Sequence, residues 1–191
     1  MASSISLSAQ REFLLNGKPV AILSGSEFSR KEGITLTQQV AEFYSSIGNK
    51  AVSPAYGEVI LDKKGVDDDF AHGVSRVKAV AFAAVPQIIE KGIVILPFGK
   101  HKAEENVISA MVAAPILIGS KDYIGVVVLR KRHDINKLYV HEVTVKEKLL
   151  ERAAQGGKNS LSGSSNPTLS LATNRGAIAK VLQKIILANA D

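Results

Sequence analysis

Two histidines and two nearby cations are the side chains of this sequence best suited to acid–base work on a phosphodiester. His72 lies in DDDFAHGVSRVKAVAFAAVPQIIEKGIVI, residues 67–95, just ahead of Arg76 and Lys78, and His141 lies in the run Tyr139-Val140-His141-Glu142-Val143. Metal-free cleavage of RNA by internal attack requires three services. A base takes the 2′-hydroxyl proton, an acid protonates the leaving 5′-oxygen, and a cation stabilises the charge gathering on the phosphate. Histidine suits both proton roles because its unperturbed pKa is ~6.5. Each transfer is worth ~10²–10⁴ in rate.

The elements that carry these residues set their reach. Asp67, Asp68 and Asp69 read as the opening of a long helix, where acidic side chains favour the positive end of the helix dipole. Its buried stripe is Phe70, Val74, Val77, Ala81, Ala84 and Ile88, with a kink or restart near Val85 forced by Pro86 and an end at Gly92. His72 lies opposite that stripe, on the face of Ser75 and Arg76, and Gly73 beside it suggests a close backbone approach. The alternative for His72 is an exposed histidine without a role. Arg76 and Lys78 compete as the phosphate clamp. A helix continuous from Asp69 puts Arg76 one turn from His72, whereas a helix that begins at Gly73 changes that geometry.

His141 sits mid-strand. In a regular strand Tyr139, His141 and Val143 share one face, and Val140 and Glu142 share the other. His141 then either projects into a cleft beside Tyr139, which could stack on a base, or is a half-buried core residue. The turn Arg130-Lys131-Arg132-His133 and the pair Lys100 and Lys102 flanking His101 are candidates for gripping an RNA backbone, or are solvated loop tips. The glycines of 156–160 lack phosphate-loop spacing. The Asp triplet is explained by capping, so neither a metal site nor a cofactor is expected.

Charge partitions unevenly. Residues 1–98 hold 10 Lys/Arg against 10 Asp/Glu, whereas residues 99–191 hold 14 against 8, so the whole net charge of +6 lies in the second half. A neutral half beside a basic one suits a surface facing a polyanion. An apolar content of 46% over 191 residues supports a real core. There are no cysteines, which excludes disulfides, thiolate zinc sites and thiol catalysis. No apolar run reaches the ~20 residues that span a bilayer, and the first residues do not read as a signal peptide. Export would therefore depend on a parent chain or a delivery machine.

Periodicity predicts an α+β fold. Strands are expected at 19–23 and 56–61, a helix at 35–47, and a strand from Ile93 to Phe98. A meander of strands at 113–118, 123–130 and 137–145 follows, with short turns, and an amphipathic helix closes the chain over 174–188. Residues 153–168 read as a flexible loop. The division expected is a docking or uptake segment over 1–50 and a main domain over 51–191.

Taken in order, the run from Gly65 to Ile95, the AAPILIG element at 113–119, GVVVLRKR at 125–132 and KLYVHEV at 137–143 resemble the barnase/EndoU/colicin/RelE-like nuclease domains. Such domains occur in phage polyvalent proteins and at the C-termini of polymorphic toxins of contact-dependent growth inhibition. The resemblance covers roughly 57–147 and the terminal helix. It implies N-terminal helices, then a curved antiparallel β-sheet and a C-terminal helix, with the active site on the open face of the sheet. It implies metal-independent cleavage of RNA, often tRNA, in a bacterial cytoplasm reached by secretion or phage injection as part of a larger protein. It also implies an acidic immunity or antitoxin partner. Among the cations it favours Lys78, whose position matches the one preceding the Ala-rich run. A non-catalytic RNA-binding or virion-associated module of the same fold is the alternative.

Overall fold

The structure is a computed structural model that describes residues 5–70, 74–100, 108–132, 135–148 and 175–188. Among these, seven strands form one sheet: β1 (Ala21–Leu23), β2 (Lys50–Ser53), β3 (Gly57–Ile60), β4 (Ile93–Lys100), β5 (Ile108–Ile118), β6 (Lys121–Arg132) and β7 (Lys137–Glu147). β5 to β7 form the expected antiparallel meander, and β4 adds an antiparallel partner to β5. The sheet as a whole is curved and mixed rather than antiparallel. β1 lies parallel to β5 and β3 lies parallel to β7. Short turns betray antiparallel neighbours in a sequence, but a parallel pair is joined through distant chain and leaves no local mark.

Among the described residues six helices flank the sheet: α1 (Leu7–Asn16), α2 (Leu36–Ser46), α3 (Lys63–Phe70), α4 (Arg76–Ala81), α5 (Val85–Lys91) and α6 (Arg175–Ile186). A 3₁₀ turn, Phe82–Ala84, links α4 to α5, so the chain restarts at Val85 where Pro86 demands it. α2 opens on a capping box in which Thr35 and Gln38 exchange side-chain to backbone hydrogen bonds of 3.2 and 2.7 Å.

Helices cover both faces of the sheet. On one face α2, α3, α4 and α5 bury Val40, Tyr44, Val66, Val80 and Ile88 against Val112, Ile116, Val127, Leu129, Val140 and Val143. On the other, Leu14 and Leu15 of α1 and Ile178, Leu182 and Ile185 of α6 cover Met111, Ala113, Ile124, Val126 and Val128. Each such side chain contributes ~1.5–3 kcal/mol by leaving water. This two-sided cover explains why β6 reads as an unbroken apolar run and not as an alternating one.

The long-helix expectation is corrected here. The Asp triplet does not open a long helix: it lies at the end of α3, and α4 starts afresh at Arg76 behind an Ser75 cap. Ser75 accepts the Lys78 N–H at 3.2 Å, a local competitor that overrides the apolar periodicity running through it. Residues before 50 contribute to the same sheet and to its packing. β1 belongs to the common sheet, and Leu14 is fully buried on one of its faces, Val40 and Tyr44 on the other.

Candidate functional site

Gly65 brings α3 down onto β7. A Cβ at this position would lie 2.2 Å from the Val140 carbonyl oxygen, so only glycine permits the approach. One helical turn later, Asp69 reaches the edge of β7 beyond Tyr139, where β3 has ended. Its Oδ2 accepts the Val143 N–H at 3.1 Å, and its Oδ1 accepts from Lys78 Nζ at 2.5 Å. Both side chains are buried, with 2% and 9% of the Asp69 and Lys78 side chains exposed. Burial pushes the Asp69 carboxyl above its ordinary range, against the opposing pull of Lys78 and the Val143 N–H, and the nearby Glu142 adds to the rise. The fully buried Tyr44 phenol is pushed strongly upward by burial and then by the charge of Asp69. Lys78 is therefore an internal brace between α4, α3 and β7.

Arg76 is engaged elsewhere. Its guanidinium donates to the carbonyls of Gly25, Glu27 and Phe28 at 3.2, 2.5 and 2.9 Å, pinning the loop after β1. His72, Lys102, His101 and His133 lie outside the described residues, as does the loop expected at 153–168. The side chain of Lys100, at the end of β4, also lies outside them.

The opposite face of β7 carries a different arrangement. Val128 pairs with Glu142 and Leu129 pairs with Val140, so His141 is an extra residue in β7. This bulge breaks the alternation assumed from sequence. Val140 and Val143 both face the helical core, and Glu142 falls opposite Val128 on the other face, not on the far side from His141. His141 is half-buried, with its ring edge-on to Tyr139 at 6.2 Å between centroids. Thr144 Oγ1 lies 3.4 Å from Glu142 Oε1.

The next row of this face runs Ser109, Arg130, Tyr139 across β5, β6 and β7, just past the Met111 and Val128 that α1 and α6 cover. Arg130 is partly buried, and its Nε is out of water with no hydrogen-bond partner among the described residues. The bulge thus gathers an imidazole, a carboxylate, a phenol and a guanidinium on one face of the sheet, with Glu142 and Tyr139 buried there. Lys131 points to the other face, and Arg132 pairs with Asp62 at 3.4 Å.

Of the residues expected to act together, the structure brings Arg130, Tyr139 and His141 onto one face and places Lys78 and Arg76 in structural contacts. Glu142 lies on the face of Val128, not on the face of Val140 where regular alternation predicts it. The signal that reveals it is spacing: the core-facing residues Leu138, Val140, Val143 and Val145 step by two, three and two, and a step of three in a strand marks an inserted residue.

The family described as large polyvalent protein-associated domain 3 matches residues 34–156, more than half of the chain. No curated protein and no solved structure matches it.

Proposed function

Because the chain belongs to the large polyvalent protein-associated domain 3 family, we propose that it serves as a metal-independent endoribonuclease module of a phage or toxin polyvalent protein, acting on tRNA or another structured RNA. The observation that carries this reading is the bulge at His141, which puts His141 and Glu142 on one patch with Arg130 and Tyr139. Bulges re-aim side chains from rigid strands, and rigid support suits proton transfer. RNA as the substrate rests on the nuclease resemblance and on the basic second half of the chain.

In this reading Glu142 takes the 2′-hydroxyl proton, and the freed oxygen attacks the phosphorus. The bond to the 5′-oxygen breaks, and protonated His141 delivers a proton to it, leaving a 2′,3′-cyclic phosphate and a 5′-hydroxyl. Arg130, whose Nε is out of water, offers its guanidinium to the phosphate. Tyr139 holds the imidazole ring edge-on. Lys78 and Arg76 act through the fold, holding α3 and the 25–28 loop.

The test is incubation of the protein with total tRNA in excess chelator, with analysis of fragment ends. Discrete fragments with cyclic-phosphate ends are expected, and His141→Ala should lower the rate at least ~10²-fold without loss of folding. Full activity of His141→Ala removes that residue from the mechanism. An equal loss in His72→Ala, with Glu142→Gln unaffected, returns the base role to His72.

A second reading has its own observation. Both cations expected at the phosphate are committed to internal contacts, as befits a non-catalytic RNA-binding or virion-associated module. RNA that is bound but stays intact selects it.

A further inference from the structure

The face of the sheet opposite His141 has a second opening at the same end. Tyr56, Phe98, Ile108, Lys131, Asn136 and Leu138 line a cavity of about 430 Å³. It lies among the turn before β3, the end of β4 and the tip of the β6–β7 hairpin. Its walls are aromatic and aliphatic. The rings of Tyr56 and Phe98 meet edge to face at 4.7 Å, so one ring supports the other. Burial raises the Tyr56 phenol, and a hydrogen bond from the Phe98 backbone opposes the rise, which ties the tyrosine to β4. Its rim is polar: Lys131 is exposed, and the exposed Asn136 sits at a φ of 51° in the hairpin turn.

We propose that this cavity receives one unstacked nucleobase of a single-stranded RNA segment. The chemistry of the lining supports that ligand class. A braced aromatic pair supplies a stacking surface, an amide supplies both a donor and an acceptor for a base edge, and a lysine supplies charge for the adjoining phosphate. Volumes of ~300–1,000 Å³ are usual for small-molecule sites.

The location adds a second reason. Arg130 and Lys131 are consecutive on β6, and alternation sends Arg130 to the His141 face and Lys131 to this cavity. A strand of RNA bent around the hairpin tip places its phosphates at one site and an extruded base at the other. This inference rests on the RNA reading but needs no cleavage.

A short RNA carrying 2-aminopurine tests it, because stacking on an aromatic ring quenches that base. The full-length chain is used with His141→Ala as the background, so that the RNA stays intact. Anisotropy reports binding and 2-aminopurine emission reports stacking. Binding with quenching is expected. Phe98→Leu should remove the quenching and weaken binding by roughly 5- to 100-fold.

Asn136→Gly keeps the positive φ and deletes only the amide. It should alter the preference between bases while circular dichroism stays unchanged. Binding without quenching, or quenching that survives Phe98→Leu in a folded variant, overturns the cavity as the base site and leaves the ribonuclease reading standing. Quenching by a parent chain that cuts no RNA does the reverse. No binding of any RNA overturns the inference and leaves the cavity to a protein side chain.

Discussion

Removing the Lys78 ammonium would leave the Asp69 carboxylate buried with the Val143 N–H as its remaining strong donor. Lys78→Met should therefore cost ~3–5 kcal/mol near neutral pH. The loss should shrink on acidification. A folded-state pKa above the ordinary carboxylate value means that the folded protein binds more protons than the unfolded chain between those two values. Stability then falls as pH rises through that interval and is highest below it. Loss of Lys78 widens the interval, so urea unfolding of the variant should recover much of its deficit toward the acid end of the carboxylate range. A deficit independent of pH would show that Lys78 contributes packing and not charge. The same residue scale sets a limit on what could be read in advance. Helix geometry favours Arg76 and the nuclease resemblance favours Lys78 as the phosphate clamp, and the sequence leaves the choice open because a lysine or arginine near a histidine carries no mark of whether it faces solvent or a buried carboxylate nine residues away.

Two elements, α3 and β7, hold the buried Asp69 behind the proposed site, and Gly65 is where they touch. A methyl group there collides with the Val140 carbonyl. Gly65→Ala should cost ~1–3 kcal/mol by overpacking and should speed hydrogen exchange at the Val143 amide, since Asp69 is lifted away. Gly176, near the start of α6, has open space around the added Cβ. Gly176→Ala should be neutral or stabilising by up to ~1 kcal/mol, which makes it the control. Normal exchange at Val143 in Gly65→Ala would mean that α3 can tilt without releasing Asp69. The bulge in β7 belongs to the same scale. Regular alternation put Glu142 on the wrong face, and one inserted residue corrects the parity of everything after it.

At the scale of the whole molecule, the described part of residues 1–50 is continuous with the rest. A chain shortened to begin at residue 34, where the family match begins, lacks β1 and the Leu14 and Leu15 that cover Met111 and Val128. It should bind an apolar dye and lose its cooperative unfolding transition. A cooperative transition in the shortened chain would show that α6 covers that face alone. The uneven charge predicts that RNA binding weakens steeply between low and moderate salt, with a log–log slope of about −0.7 for each phosphate neutralised on a single strand. A flat salt profile would remove the basic half from the interface.

The meander β5–β7, the helix at 36–46, the restart near Pro86 and the closing helix are legible in the sequence, because apolar period, caps and turn residues act over a few neighbours. The parallel pairings of β1 and β3, the burial of Lys78 on Asp69, the loop held by Arg76 and the joint face of Arg130, Tyr139, His141 and Glu142 are set by the folded arrangement. Each of these depends on groups far apart in the chain, and their meeting is selected by which surfaces the core can bury together.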